Sequence, residues 1–250
     1  MKKGTKITHK AYPFNSDGDH DINFDSIPVN ENEYNAIFDD PTYFFMQINK
    51  GVIYGVNKLK FKGIRFTLLE PNPVTFYFSI ALDTSIQIED AYKQLENSLL
   101  KSAKSWPLPV SHSYVFRVKS ISIIFAFSSC EAFLNQTLPD FKKVTMPDGK
   151  SYSKKEIERY LGFEKKVQAV SSHLQKDFIA KHPNKFKKLI ELKELRDKLM
   201  HLKEVKHGIA TSYNDIYQSL LDADLKAMIK TVKDFINFYE PKLIVTYTLH

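Results

Sequence analysis

Arg196 and His201 stand five residues apart in the run Glu194-Leu195-Arg196-Asp197-Lys198-Leu199-Met200-His201. These two residue types are what phosphodiester chemistry without a metal needs most. An imidazole can take and return a proton near neutral pH. A guanidinium can clamp a phosphate and balance the charge that builds on it during reaction. Asp197 precedes His201 by four residues, so on a helix the two are neighbours and the carboxylate can orient the imidazole. The plainer reading of the same run is a solvated helix face, with Glu194 and Lys198 as an i,i+4 ion pair.

The element that carries the run is expected to be a helix over about 185–205, opened by His182-Pro183-Asn184 and closed by Gly208. Leu192, Leu195, Leu199 and Leu202 recur at helical spacing and form its core stripe. Arg196 flanks that stripe, about 140° round an ideal helix from His201. One straight helix therefore does not bring both groups onto one phosphate. The helix must bend or end within the motif, or a second copy of the chain must supply the missing half across a symmetric dimer.

A second helix, over about 113–137, is apolar nearly all round, as the central helix of a bundle would be. Glu131 and Asn135 are the exceptions, four residues apart on one face. Buried polar groups there need partners. Glu131 is placed to pair with Arg196, and Asn135 to orient a phosphate or the histidine. Emergence of both at the bundle surface is the plain alternative. Further helices are expected over 86–104, from a capping box at Ser153 and Glu156 up to Leu174, and over 214–239.

The long apolar helix with its Ser129-Cys130-Glu131-Ala132-Phe133-Leu134-Asn135 stretch is followed by two helices, an R-D-x-x-x-H motif and a last helix. This series resembles the HEPN superfamily over roughly 110–240. The resemblance implies a homodimeric endoribonuclease that works without a metal or other cofactor, by attack of the ribose 2′-OH. It implies toxin or anti-phage defence as the setting, with RNA and an antitoxin or other defence-system protein as partners. Arg196 and His201 would be the catalytic pair, Asp197 the polar residue that often follows the arginine, and Glu131 and Asn135 the supporting polar positions. Lys203 stands where the R-x4-H-x-Y toxins carry tyrosine, so the chain departs from that branch. The alternative within the same fold is a catalytically silent module that binds RNA, nucleotide or a protein. A third reading is a structural subunit whose basic face docks on a larger assembly.

The charge distribution suits an acidic partner. The 250 residues carry a formal net charge of +7. Residues 1–107 hold 12 Lys+Arg against 13 Asp+Glu, leaving 24 against 16 for 108–250. The positive field thus lies with the motif. Lys193, Lys198 and Lys203 are the basic residues best placed along the motif helix to hold an RNA backbone.

The fold class expected is α+β, with an N-terminal antiparallel β module over 1–107 and a helical bundle over 108–250, parted at Trp106-Pro107-Leu108-Pro109. Strands are expected within 42–82, as Tyr43–Ile48, Val52–Val56, Ile64–Leu69 and Val74–Ile80. Their aromatic residues read first as core and second as a ligand surface. The tail Leu243–Thr248 reads as a strand returning to that sheet. A cytoplasmic setting without membrane attachment is expected, since no signal peptide is visible and no apolar run approaches a span of about 20 residues. Cys130 is the single cysteine and reads as a buried small residue rather than a nucleophile. Ser16-Asp17-Gly18-Asp19-His20-Asp21 looks like a fragment of a metal loop but lacks the distal glutamate an EF-hand needs, so it reads as a solvated loop. No phosphate-binding glycine loop, dinucleotide fingerprint, nucleophile elbow or zinc spacing is present.

Overall fold

The computed structural model describes residues 2–9, 11–13, 38–39, 45–49, 52–101, 109–202, 205–207 and 210–249. The Ser16–Asp21 segment, the break at Trp106-Pro107 and the turn at Gly208 lie outside the described residues. The chain is α+β, mostly helical, with a small antiparallel sheet and several strand pairs. It divides into two compact units: Ile7–Pro73, and Met1–Lys6 together with Val74–His250. This division differs from a boundary at 107, because the helices over 73–101 bury apolar residues in one core with the later helices.

Strand β1 (Lys2–Thr5) belongs to the larger unit. The smaller unit is built on β4 (Val52–Phe61), to which β2 (Ala11–Pro13), β3 (Phe45–Asn49) and β5 (Ile64–Leu69) all pair antiparallel. Val52–Tyr54 pair with both β2 and β3, and Val56 with both β3 and β5. Strands β2 and β5 therefore share the edge of β4 opposite β3. The two-residue turn between β4 and β5 has φ of 48° at Lys62 and 84° at Gly63. Two successive positive φ values are what a tight hairpin of right-handed twist requires, and glycine supplies the second without strain. The register pairs Leu59 with Phe66 and Phe61 with Ile64 on one hairpin face, which Leu68 joins. All five side chains are exposed, so these aromatics are not core.

The run Val74–Ile80, expected as a fourth strand, is helical. It lies in α1 (Pro73–Ser85). Proline at the first helical position fits a helix start. Val74, Phe78, Ala81 and Ser85 are buried at three- and four-residue steps, so burial along one helical stripe decides a segment whose aromatic and β-branched content favours a strand. Helix α2 (Ile88–Lys101) follows.

Helix α3 (Pro109–Thr137) is the centre of the larger unit. Val115, Val118, Ile123, Ala126, Phe127, Cys130, Phe133 and Leu134 are all buried. Within it, Ser113–Thr137 is long and apolar enough by composition to cross a membrane, unlike the expectation from the sequence; 56% of that window is buried against the rest of the protein. A short hairpin of β6 (Val144–Thr145) and β7 (Ser151–Tyr152) leads to α4 (Lys154–Tyr160). The capping box at its start is formed: Ser153 Oγ accepts from the Glu156 N–H, and the Ser153 N–H donates to the Glu156 carboxylate at 2.7 Å. The helix expected to run on to Leu174 instead breaks at extended Leu161, and α5 (Phe163–Leu174) restarts after Gly162. Next come α6 (Phe178–Lys181) and α7 (Pro183–Met200). A hairpin of β8 (Val205–His207) and β9 (Ala210–Ser212) precedes α8 (Asn214–Asp222) and α9 (Leu225–Tyr239). These last two replace one expected helix, because Asp224 caps a fresh start by accepting from the Ala227 N–H at 3.0 Å.

The tail forms β10 (Thr246–Leu249), which pairs antiparallel with β1 and not with the four-stranded sheet. Asn237 pins its approach. Its Nδ2 donates to the Ile244 carbonyl at 3.0 Å, and its Oδ1 accepts from the Ile244 N–H at 2.9 Å.

Helix α3 packs against α2, α5, α7, α8 and α9. Lys119 is a buried cation on it, 1% exposed. The Nζ donates to the carbonyls of Leu220, Leu221 and Ala223, closing the C-terminal end of α8. Burial pulls the amine from its ordinary 10.5 down to about 8. Replacing Lys119 with Met keeps the stem but strips three carbonyls of their donor, and is expected to cost about 1–3 kcal/mol in urea unfolding at pH 7. Because the native state gives up this proton before the unfolded chain does, the contribution of Lys119 is flat below pH 8. Between about 8 and 10.5 the stability gap between wild type and Lys119→Met should widen in favour of wild type. A gap that narrows over that interval would contradict the assignment.

Candidate active site

Helix α7 carries the motif and sits on α3 through Phe186, Leu189, Leu192 and Leu195, all buried. Leu199 is partly buried at the end of that stripe. Leu202, expected to continue it, is 50% exposed, because the helix ends at Met200. His201 is the C-cap, with φ −122° and ψ 53°, and its N–H still donates to the Asp197 carbonyl at 3.0 Å. The helix thus ends within the motif, so the angular separation of an ideal helix no longer fixes where His201 points.

Arg196 is held from three sides. Its Nη2 donates to Glu131 Oε2 of α3 at 2.8 Å. Its Nη1 lies 3.0 Å from Asp197 Oδ1. Its guanidinium carbon stands 4.3 Å from the centre of the Phe127 ring, a cation–π contact. The expected pairing of Arg196 with Glu131 is therefore present in the fold. Phe127, Glu131 and Asn135 follow one another at four-residue steps, so α3 presents them along a single face. That spacing was visible in the sequence, yet Phe127 reads there only as core. Its ring is buried and lies 4.9 Å from Phe163, so one face serves the core while Arg196 covers another.

Asp197 does not orient His201. Its carboxylate accepts from Lys193 Nζ at 2.6 Å and meets Arg196 on its other oxygen. Two cations on the same helix take both oxygens, and no side-chain hydrogen bond joins Asp197 to His201 among the described residues. The His201 side chain is exposed and has no hydrogen-bond partner among the described residues. Asn135 makes no hydrogen bond to His201 or Arg196 among the described residues. Its Oδ1 is buried without a hydrogen-bond partner among the described residues, an acceptor one helical turn beyond Glu131.

Of the three lysines singled out for RNA, Lys193 is tied to Asp197, and Lys198 is exposed with no ion pair among the described residues. Lys203 lies outside the described residues. The Glu194–Lys198 ion pair is not formed. Cys130, beside Glu131 in sequence, is fully buried, and burial followed by the Glu131 charge pushes its thiol far up, away from a nucleophile's range.

Two cations, Arg196 and Lys193, and two carboxylates, Glu131 and Asp197, make the cluster electrically neutral at pH 7. A guanidinium has five N–H donors, so these contacts leave Arg196 with donors to offer a phosphate. No protein-family model, curated protein or solved structure matches this chain.

The Arg196 and Glu131 side chains are 21% and 37% exposed, so solvent screens their pairing. A double-mutant cycle with Arg196→Met and Glu131→Gln, followed by urea unfolding, should return a coupling of about 0.5–1 kcal/mol. A value indistinguishable from zero would mean that Glu131 does not hold Arg196.

Proposed function

We propose that this chain is a metal-independent endoribonuclease of the HEPN type, with the helices from Pro109 to Tyr239 forming a bundle of that kind and two copies pooling their motifs at a dimer site. The observation that carries the reading is the fixed position of Arg196. It is clamped by Glu131 over Phe127 one turn before an exposed histidine at the helix end. A guanidinium whose orientation is set in advance can meet charge developing on a phosphorane without reorganising. His201 then handles protons. The ribose 2′-oxygen attacks phosphorus, its proton passing to one imidazole. The bond to the 5′-oxygen breaks, and that oxygen takes a proton from the second protomer's imidazole. The products are a 2′,3′-cyclic phosphate and a 5′-hydroxyl end. Lys198 is an exposed cation on the motif helix that can steer RNA, and Asn135 supplies an acceptor near the clamp. A cytoplasmic toxin or anti-phage role, with an antitoxin or other defence protein as regulator, is part of the proposal.

One observation favours the second reading, a catalytically silent module. The cluster around Arg196 is neutral and the Asp197 carboxylate is engaged by Lys193 and Arg196, so a phosphate must compete with two carboxylates for the guanidinium.

Incubation with labelled single-stranded RNA in EDTA separates the two. Wild type should cleave, leaving cyclic-phosphate ends, and Arg196→Ala and His201→Ala should each lose about 100-fold or more in rate. Asp197→Asn should keep most of the activity, since Asp197 does not position His201. Salt-sensitive RNA binding without cleavage, unchanged in His201→Ala, would establish the silent module instead. A monomer at micromolar concentration by light scattering would remove the pooled site.

A further inference from the structure

We propose that the cleft between α1, the start of α2 and α9 binds a phosphate monoester that carries an aliphatic body. The cleft measures about 480 Å³. That falls within the range of small-ligand sites, about 300–1,000 Å³. Phe78 and Leu82 of α1, Ile86 just beyond it and Ile229 of α9 give it an apolar floor. Its other side is cationic. Lys226, Lys230 and Lys233 recur along one face of α9, with Thr246 of β10 beside them.

The charges there do not cancel. Lys226 is matched by Glu89 of α2. Lys230 shares the single carboxylate of Asp234 with Lys185, at 2.9 and 2.8 Å. Lys233 donates at 2.6 Å to the Thr246 hydroxyl, a neutral acceptor. Glu89 and Asp234 meet these ammonium groups directly and the Asp224 charge reaches Lys226, so Lys226, Lys230 and Lys233 with the neighbouring Lys185 still outnumber the carboxylates on the cationic side of the cleft. A phosphate monoester carries about −1.5 to −2 at pH 7, so that excess draws it more strongly than a singly charged carboxylate. Across the β1–β10 ladder from Thr246 stands Thr5, whose buried hydroxyl has no partner among the described residues. Hydrogen-bonding capacity thus remains at the cationic end, on the ladder face that Thr246 shares. Inorganic phosphate alone would leave Leu82 and Ile86 in water, the two floor residues that the protein itself does not bury. None of these residues belongs to the Arg196 cluster, so this inference stands apart from the ribonuclease reading.

Calorimetric titration of the full chain with octyl phosphate, below its micelle concentration, tests the site. One equivalent should bind, at least about tenfold more tightly than either octanol or inorganic phosphate. Affinity should fall steeply with added salt. The double variant Lys230→Gln/Lys233→Gln should lose about tenfold or more while keeping the wild-type melting temperature to within a few degrees. Ile86→Ser, at a partly exposed position, should weaken octyl phosphate and leave inorganic phosphate unaffected. Co-sedimentation with phosphatidic acid vesicles that is lost in the lysine double variant would assign the head group to a bilayer lipid. Octyl phosphate binding without sedimentation would assign it to a soluble ester. Equal affinity for octanol and octyl phosphate, or salt-independent binding, would overturn the proposal even if the double variant failed to fold.

Discussion

A 29-residue helix with apolar side chains on nearly every side cannot stand in water, and the larger unit is organised by the need to cover α3. Each large side chain buried on it contributes about 1.5–3 kcal/mol, and no single neighbour can bury them all. Among the described residues α1, α2, α5, α7, α8 and α9 all meet it. The aromatic core continues outward from there, with Phe127 against Phe163, Phe133 edge-on to Phe235, and Phe178 edge-on to Phe235 in turn. Helices placed by that packing have little freedom to shift, because a close-packed interior transmits any displacement.

The polar side chains of α3 are where this constraint becomes chemistry. Inside such a core each must find a partner or carry a penalty. Lys119 answers the open carbonyls at the end of α8, and Ser129 donates to the Val74 carbonyl at 2.7 Å, tying α1 to the core. Glu131 answers Arg196. Asn135 Oδ1 and the hydroxyls of Ser120 and Ser122 are buried without partners among the described residues. The face of α3 that carries Phe127, Glu131 and Asn135 thus does two jobs. It fixes the register of α7 on the core, and it holds one guanidinium at the boundary between core and solvent.

That arrangement also sets the electrostatic character of the cluster. A guanidinium lying on a buried ring needs counter-charge, and Glu131 and Asp197 supply it. The result is a well-oriented but neutralised cation. The cleft beside α9 is the reverse case, with cations in excess and an apolar floor. The two features lie on different faces of the helical unit's sequence plan: one depends on the α3–α7 contact, the other on α1 and α9.

Much of this was legible in the chain. Three- and four-residue apolar spacing located α2, α3 and α7, the Ser153 capping box marked the start of α4, and a lone carboxylate, Glu131, on an apolar helix pointed to Arg196 as its partner. These signals are local, and hydrophobic periodicity and cap chemistry need only neighbours along the chain. What failed was decided at a distance. Val74–Ile80 has the composition of a strand, and became helical because one stripe of it is buried beside α3. The two long helices expected after Ser153 and before Pro241 were each broken where a cap and the path over the core prevailed over local propensity. Asp197 was the natural neighbour of His201 by spacing alone. The helix ended at Met200, and Arg196 and Lys193 took its oxygens. By itself the sequence determined which residues are apolar, the cap that starts α4, and which side chains are capable of phosphodiester chemistry. Only the tertiary structure decided which of them meet. Ion pairing and burial depend on distances between segments far apart in the chain, and those distances exist only once the core has closed.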